Sequence, residues 1–179
     1  MSASIRQKSI LCLALLVTAM ATQAEDSAEL RNPSIDMPGY LSVSSQAAAH
    51  RNERRLTEAE FLRLSLEPGT VILDARSAAK YAQLHVQGAI NLSFPDISVD
   101  SLAAILPDRN TRILIYCNNN FANAPDAFPT KLARASLNLS TYIALYTYGY
   151  RNVYELAPPI DIRASKLPFE SSIPAEPST

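Results

Sequence analysis

The clearest strand signal in this 179-residue chain is the run Arg112-Ile113-Leu114-Ile115-Tyr116-Cys117. Its apolar residues follow one another without a polar interruption. Such a run predicts a strand covered on both faces, because a half-exposed strand would alternate apolar with polar residues. Polar residues begin directly after Cys117. We therefore expect a buried strand that carries this cysteine at its carboxyl end.

Further strands and helices flank this central run. Val71-Ile72-Leu73 predicts a second buried strand, which delivers the polar side chains of Asp74 and Arg76 at its end. Shorter strands are expected at 88–92 and 153–156, and helices at 57–66, 77–81, 101–106 and 130–148. Strands that alternate with helices predict an α/β domain with a mainly parallel sheet.

Two of the helices carry specific signals. Thr57-Glu58-Ala59-Glu60 has the pattern of a capping box, in which the threonine and the second glutamate satisfy free amides at the helix start. The helix at 130–148 is predicted from apolar residues spaced three or four apart, and Gly149 is placed to end it. Its apolar positions are Leu132, Ala135, Leu139, Ile143 and Tyr146.

The charge balance limits the classes of partner. Sixteen basic residues face seventeen acidic ones, which leaves a formal net charge of -1. No overall field therefore favours nucleic acid or an anionic membrane surface, and we expect neither as a partner of the mature chain.

The first residues, 1–24, have the composition of a signal peptide. Arg6 and Lys8 form a basic start, and Ile10–Val17 is an apolar run. A membrane anchor is the alternative, but this run is far shorter than the roughly 20 residues that span a bilayer. We expect export to the periplasm or the medium, with cleavage after Ala24, or alternatively after Ala21.

The rest of the chain divides by composition. Residues 25–55 are predicted to be a polar N-terminal arm, extended or loosely docked, because Pro33 and Pro38 break its periodicity. Residues 56–162 are expected to form the domain. The Pro-rich tail, 163–179, packs weakly or hangs free in this interpretation.

Cys117 is the one cysteine expected in the mature chain, because Cys12 leaves with the signal peptide. A lone cysteine cannot form an internal disulfide. It is either a small buried apolar residue or a reactive thiol.

The segment after Cys117 favours the thiol. Ligands of open parallel sheets bind beyond the carboxyl ends of the strands. The asparagine-rich run could also turn its amide N–H groups inward and stabilise a thiolate, persulfide or oxyanion. We take this run as a candidate substrate-binding loop, composed of Asn118, Asn119, Asn120, Phe121, Ala122 and Asn123.

Four landmarks in order resemble the rhodanese-like domain family. They are the motifs at 71–76, at Tyr81 with 85–91, at 113–117 and at 149–156, and together they cover about 56–161. The resemblance implies a three-layer fold with a central sheet flanked by helices.

The same resemblance implies sulfur transfer. The Cys117 thiolate would take sulfane sulfur from thiosulfate or a persulfide, hold it as a persulfide and pass it to a thiol or a cyanide-like acceptor, without a metal or cofactor. A protein partner is a further option. Asp74 and Arg76 would support the loop by hydrogen bonding, although a capping aspartate and a solvated arginine remain the alternative. His85 would occupy a structural turn.

Two features depart from the family pattern. No lysine or arginine lies between Cys117 and Lys131, where many active members carry a cation, and Ala124–Pro129 has the character of an insertion. Lys131 or Arg134 could fold back over the site, or both could be ordinary surface charges.

The residues around Cys117 also bear on two other functions. A cysteine phosphatase needs an arginine six residues after the cysteine to bind phosphate, and Asn123 stands there, so this activity is not expected. A non-catalytic binding module of the same fold is the alternative to sulfur transfer. It is suggested by the missing cation and by a series of tyrosines, Tyr142, Tyr146, Tyr148, Tyr150 and Tyr154.

Overall fold

The computed structural model describes residues 32–173. The predictions for the signal peptide at 1–24, and those for the outer ends of the arm and the tail, lie outside the described residues. The described part of the chain divides into two units between Tyr40 and Leu41, within the helix Met37–Arg51.

The second unit alternates short helices and strands. The helices, counted from the one that spans the division, are α1 (Met37–Arg51), α2 (Glu58–Ser65), α3 (Ala78–Gln83), α4 (Val99–Ile105) and α5 (Leu137–Thr147). The strands are β1 (Arg55–Leu56), β2 (Thr70–Asp74), β3 (His85–Val86), β4 (Ile90–Asn91), β5 (Arg112–Tyr116), β6 (Phe121–Ala122), β7 (Val153–Leu156), β8 (Ile160–Asp161) and β9 (Phe169–Glu170). Short 3-10 turns occupy Phe94–Asp96, Asn118–Asn120 and Ala133–Ala135.

The central sheet has five strands in the order β1-β7-β5-β2-β4, and every neighbouring pair is parallel. The strand β5 is in the middle, as its continuous apolar sequence predicts. It pairs with β2 along the full length of both, so that Asp74 lies opposite Tyr116 at their carboxyl ends. This edge of the sheet is where Cys117 follows.

Alternate side chains of β5 pack on opposite faces of the sheet. Leu114 and Tyr116 belong to one buried cluster, and Ile113 and Ile115 belong to the other. The first cluster contains Phe61 from α2. The second contains side chains from α1, α4 and α5, namely Ala47, Leu102, Tyr142 and Leu145. Helices therefore cover both faces, and the predicted three-layer α/β fold is confirmed.

The sequence signals at the start of α2 and at the end of α5 are confirmed. Thr57 and Glu60 form the reciprocal capping box at the start of α2, since each supplies an acceptor for a backbone amide that the helix leaves unpaired. Gly149 follows α5 with φ of 92°, a left-handed conformation that glycine adopts without strain.

The expectation of an extended or loosely docked arm is wrong for its second half. Residues Met37–Arg51 form the helix α1, in which Ala47 is buried. Pro38 lies in the first turn, where its missing N–H costs no helical hydrogen bond. Arg51 on the last turn forms an ion pair with the buried Glu155 of β7, a long-range contact that no local pattern reveals.

The helix expected over 130–148 begins later than its apolar spacing suggests. Residues Ala133–Ala135 form a 3-10 turn and α5 starts only at Leu137. Leu132 is 82% exposed rather than buried on the predicted face. The segment before Ser136 is instead bound to the cysteine loop, because Asn119 forms two hydrogen bonds with the backbone of Lys131.

The tail is more ordered than predicted. Two strands follow the one expected to be last: β8 pairs with β6, and β9 pairs antiparallel with β3. Leu167 between them is buried in the first core cluster. Within 32–173, no helix has the length and apolar character needed to cross a bilayer.

Candidate functional site

Cys117 lies where the sequence places it, directly after the central strand β5. Its side chain is buried, with 1% of its surface exposed. The Sγ atom lies 3.4 Å from the Oγ of Ser136, the residue that precedes α5. A hydroxyl at this position can donate a hydrogen bond to the sulfur, and donors stabilise the thiolate form of cysteine.

Hydrogen bonds of Asn120 stabilise the turn after the cysteine. Its Oδ1 accepts from the Cys117 backbone N–H at 2.8 Å and from the Nδ2 of Asn138 at 3.1 Å. Its Nδ2 donates to the carbonyl of Leu156 on β7 at 2.7 Å. The Asn120 backbone N–H in turn donates to the Cys117 carbonyl. Asn120 therefore connects the cysteine turn to both α5 and the sheet.

The remaining loop residues have different environments. Asn119 forms two hydrogen bonds with the backbone of Lys131. Phe121 and Ala122 form β6 and pair with β8, and Asn123 adopts a positive φ of 65°. The Cys117 N–H is bonded to the Asn120 side chain, and the Asn120 N–H faces the carbonyl and the side chain of Cys117. The substrate-binding role of the six loop residues stays a prediction.

Asp74 and Arg76 form a buried ion pair at the end of β2. The Nε of Arg76 lies 3.0 Å from Oδ1 of Asp74, and Nη2 lies 2.5 Å from Oδ2. The guanidinium also donates to the backbone carbonyls of Ala127 and Leu84, at 2.9 and 2.8 Å. Of the two alternatives for Arg76, a solvated side chain is wrong, since only 2% of the residue is exposed.

Tyr116 completes this buried network. Its hydroxyl donates to Oδ2 of Asp74 at 2.6 Å and accepts from the backbone N–H of Val86 at 3.1 Å. Burial, followed by the charge of Asp74, raises the pKa of Tyr116 well above its usual value. The phenol therefore stays protonated and acts as a permanent donor to the carboxylate.

The segment that has the character of an insertion, Ala124–Pro129, packs against this network. Ala127 and Phe128 are buried in the first core cluster. The guanidinium carbon of Arg76 lies 4.1 Å from the centre of the Phe128 ring, a cation–π geometry. Arg76, which pairs with Asp74, therefore also contacts this segment through Ala127 and Phe128.

A cavity of about 440 Å³ opens beyond the carboxyl ends of β2 and β5. The lining residues come from four segments around these strand ends and include two lysines: Ala75, Arg76, Ser77, Lys80, Ser93, Phe94, Pro95, Asn118, Pro129, Lys131 and Leu137. Asn118 is thus the one member of the predicted loop among these residues. Its side-chain Oδ1 is buried without a hydrogen-bond partner in the described part of the chain.

His85 and the tyrosine series have packing roles. His85 stacks on Tyr81 with ring centres 3.7 Å apart and contacts Glu170 of β9, outside the residues that line the cavity. Tyr142 and Tyr150 are each 1% exposed and belong to the second core cluster. Over 32–173, no group of three or more His, Cys, Asp or Glu side chains could hold a metal ion.

The fold is a parallel α/β sheet with a cysteine turn after the central strand. A comparison with known families identifies the class of protein that has this arrangement. The family model of the rhodanese-like domain matches residues 57–157, more than half of the chain. The chain belongs to the rhodanese-like domain family.

Individual relatives are more distant. Thiosulfate sulfurtransferase PspE of Escherichia coli K12 is 39% identical over 46 residues, which are 26% of this chain and 43% of that protein. The match therefore spans less than half of the relative's length. A rhodanese-like domain from Anabaena sp. has 21% identity and a TM-score of 0.48, with 70% of this chain and 88% of that chain covered. A thiosulfate sulfurtransferase from Pseudomonas aeruginosa has 18% identity and a TM-score of 0.49, over 75% and 24%.

Sequence reasoning missed two residues around the cysteine. Ser136 contacts Sγ although it lies nineteen positions away, and Lys80 lines the cavity from α3. Lys131, one of the two cations that the sequence offers for this site, also lines the cavity. Serine directly before an apolar helix is a common N-terminal signal, so Ser136 could have been marked as a helix start, but not as a neighbour of Cys117.

Proposed function

We propose that this protein is a sulfurtransferase that moves sulfane sulfur through a persulfide on Cys117. Membership of the rhodanese-like family supports a sulfurtransferase in general. The observation that carries the specific proposal is the position of Cys117, at the end of the central strand with its Sγ 3.4 Å from a hydroxyl. The adjacent cavity provides room for a donor and an acceptor.

The chemistry consists of two displacements at sulfur. In the first, the Cys117 thiolate attacks the outer sulfur of thiosulfate; the new Sγ–S bond forms as the S–S bond of the donor breaks and sulfite leaves with the electron pair. In the second, an acceptor thiolate or cyanide attacks the outer sulfur of the persulfide. The Sγ–S bond breaks, and the Cys117 thiolate is regenerated without net oxidation of the protein.

The test is intact-mass analysis of the full mature chain after incubation with thiosulfate or polysulfide. We expect a gain of one sulfur atom that cyanide removes with formation of thiocyanate. Cys117→Ser should abolish the adduct. An unmodified wild-type chain with every donor, together with a thiol that does not react with alkylating reagents, would contradict the proposal.

A binding module of the same fold is the second candidate, and the burial of Cys117 favours it. Cys117 is not among the residues that line the adjacent cavity, and only 1% of its surface is exposed. If Cys117→Ser leaves the cellular phenotype of the protein intact, the binding role is favoured over sulfur transfer.

We further propose that the protein acts in the periplasm or outside the cell after loss of residues 1–24. The basic start and short apolar run in the sequence support this localisation. N-terminal sequencing of the protein recovered from a periplasmic fraction would test it. A mature chain that begins at Glu25 is expected, whereas full-length protein confined to the cytoplasm would contradict export.

A further inference from the structure

Three arginines lie at the amino-terminal edge of the central sheet. Arg54 precedes β1, Arg109 precedes β5 and Arg151 precedes β7, each by at most three residues. Because β1, β7 and β5 are parallel neighbours, their amino ends meet at one edge of the sheet, whereas Cys117 follows the carboxyl end of β5. We call these three residues the arginine edge.

Each member of the arginine edge lies over the ring of a tyrosine. The distances from the guanidinium carbon to the ring centre are 3.6 Å for Arg151 and Tyr146, 4.6 Å for Arg109 and Tyr150, and 5.0 Å for Arg54 and Tyr154. These are cation–π distances. A guanidinium that stacks on an aromatic face keeps N–H donors at its rim for a partner and loses less conformational freedom on binding.

Ion pairs do not neutralise the arginine edge. Those within 32–173 include none of its three members. The sequence between Asp126 and Glu155 contains no aspartate or glutamate, and Glu155 itself is paired with Arg51 and Arg55. The three guanidiniums are therefore available to carboxylates from outside the chain.

The three positive charges lie close together. Burial, followed by the positive charges of Arg54 and Arg151, lowers the pKa of His50, so both guanidiniums act on the same imidazole. Arg109 lies against the turn between α5 and β7, because a Cβ added to Gly149 would stand 3.4 Å from its Nη1. Arg151 belongs to the same turn. The arginine edge is thus one continuous surface.

Two exposed carboxylates limit the class of partner. Glu53 precedes Arg54 and Asp108 precedes Arg109, and the ion pairs of the described residues include neither acid. A uniformly charged polyanion, such as nucleic acid or an anionic bilayer, would be repelled by both. A protein segment can place single carboxylates opposite single arginines. Arginine and tyrosine are also the residue types most enriched at protein interfaces and among their energetic hot spots.

We propose that the arginine edge is a docking surface for an acidic segment of a partner protein. Carboxylates of the segment accept paired hydrogen bonds from the guanidiniums, and its apolar side chains contact the half-buried rings of Tyr146 and Tyr154. Because the surface lies at the edge of the sheet opposite Cys117, docking is independent of the chemistry of that residue.

Selection from a phage-displayed library of random peptides, each about twelve residues long, tests this surface without a known partner. The bait is the full mature chain, and the comparison is the chain with Arg54→Gln, Arg109→Gln and Arg151→Gln combined. We expect the wild type to enrich peptides that combine several acidic residues with apolar or aromatic ones. The triple variant should enrich none of them.

Fluorescence polarisation with an enriched peptide measures the single contributions. Arg109→Gln and Arg151→Gln should each weaken binding by about tenfold, a loss typical of a charge-assisted contact at a hot spot. Arg134→Gln is the matched control, because Arg134 is an exposed arginine two residues before Ser136, which contacts Cys117. It should bind as the wild type does, and so should Cys117→Ser.

Urea denaturation shows whether each variant is folded. If Arg151→Gln has a lowered midpoint, Arg151→Lys takes its place, since lysine keeps the charge but lacks the paired donors of arginine. We expect Arg151→Lys to weaken peptide binding as well.

Three results would overturn the proposal. The first is the absence of enriched acidic peptides, or equal binding of them by wild type and triple variant. The second is arginine-dependent binding to phosphatidylglycerol vesicles or to a single-stranded oligonucleotide that is tighter than peptide binding. The third is a dimer that the triple variant dissociates in sedimentation experiments, which would assign the surface to a second copy of this chain. Persulfide formation on Cys117 tests the proposed function separately, because neither of its outcomes alters these measurements.

Discussion

The Sγ of Cys117 and the Oγ of Ser136 lie 3.4 Å apart, and this contact joins the end of the central strand to the start of α5. Only 1% of the cysteine is exposed, and the backbone N–H of Asn120 also faces its side chain. The Ser136 hydroxyl can donate a hydrogen bond to the Cys117 thiolate, or accept one from the Cys117 thiol.

Ser136→Ala is expected to slow alkylation of Cys117 and formation of its persulfide by about 3- to 10-fold, because the thiolate loses a hydrogen-bond donor. Stopped-flow measurements with iodoacetamide and with polysulfide would quantify both rates. Ser140→Ala on the same helix is the control, since the described contacts of Ser140 include none to Cys117. Equal rates for wild type and Ser136→Ala would show that the contact has no influence on the thiol.

Arg76→Met is expected to destabilise the fold by about 3 to 5 kcal/mol, because it leaves the Asp74 carboxylate buried without its partner. Tyr116→Phe removes a donor to Asp74 and should cost about 1 to 3 kcal/mol. Urea denaturation gives both values. Arg63→Gln breaks an exposed pair with Glu67 and should change stability by less than about 1 kcal/mol. A cost for Arg76→Met as small as that of the control would refute a structural role for the pair.

Asn120→Ala is expected to cost about 1 to 3 kcal/mol, since it leaves the Leu156 carbonyl and the Cys117 amide unpaired in the core. It should also raise the accessibility of Cys117 to a bulky disulfide reagent, because the turn loses its attachment to α5 and the sheet. Denaturant midpoints and the rate of thiol release measure these effects. The exposed Asn110→Ala serves as the control; an Asn120→Ala chain as stable and as unreactive as that control would show that Asn120 does not hold the turn.

Stability should decline in mildly acidic solution partly through His50. Burial, followed by the positive charges of Arg54 and Arg151, lowers the pKa of His50 below 6.5. The unfolded chain therefore binds this proton at higher pH than the folded chain does. The contribution of neutral His50 is fully present above pH 6.5 and is lost as the pH falls toward its lower folded-state pKa.

The free energy of unfolding of wild type and His50→Gln, measured between pH 7.5 and 5, tests this dependence. We expect the wild type to lose more stability than the variant over this interval, with the difference appearing below about pH 6.5. Parallel curves for the two proteins would exclude His50 as a source of acid sensitivity.

The sequence was most informative where structure depends on neighbouring residues. The apolar runs of β2 and β5 predicted their burial because a strand covered on both faces has no place for a polar side chain. The capping box at Thr57 and the glycine after α5 specify helix ends through contacts within a few residues. The four landmarks led to the rhodanese-like family on the same local basis.

Prediction failed where a segment is stabilised by distant partners. The helix α1 has a weak local signal, but its last turn reaches Glu155 through Arg51. The strands β8 and β9 are short and partly polar. They are stabilised by pairing with strands that are distant in sequence: β8 pairs with β6, and β9 pairs with β3. Leu132 is exposed, and the residue before it, Lys131, is bound through its backbone by the distant Asn119.

Contiguous residues are enough to predict the parallel α/β core, the family and the position of Cys117 at the end of β5, because strand burial and helix capping depend on neighbours in the chain. The tertiary structure decided what surrounds that cysteine: the hydroxyl of Ser136, the Asp74–Arg76–Tyr116 network and the two lysines at the cavity. These groups come from separate segments of the chain. Their distances are set by how the sheet orders its strands and by how the helices pack on it, which no short pattern specifies.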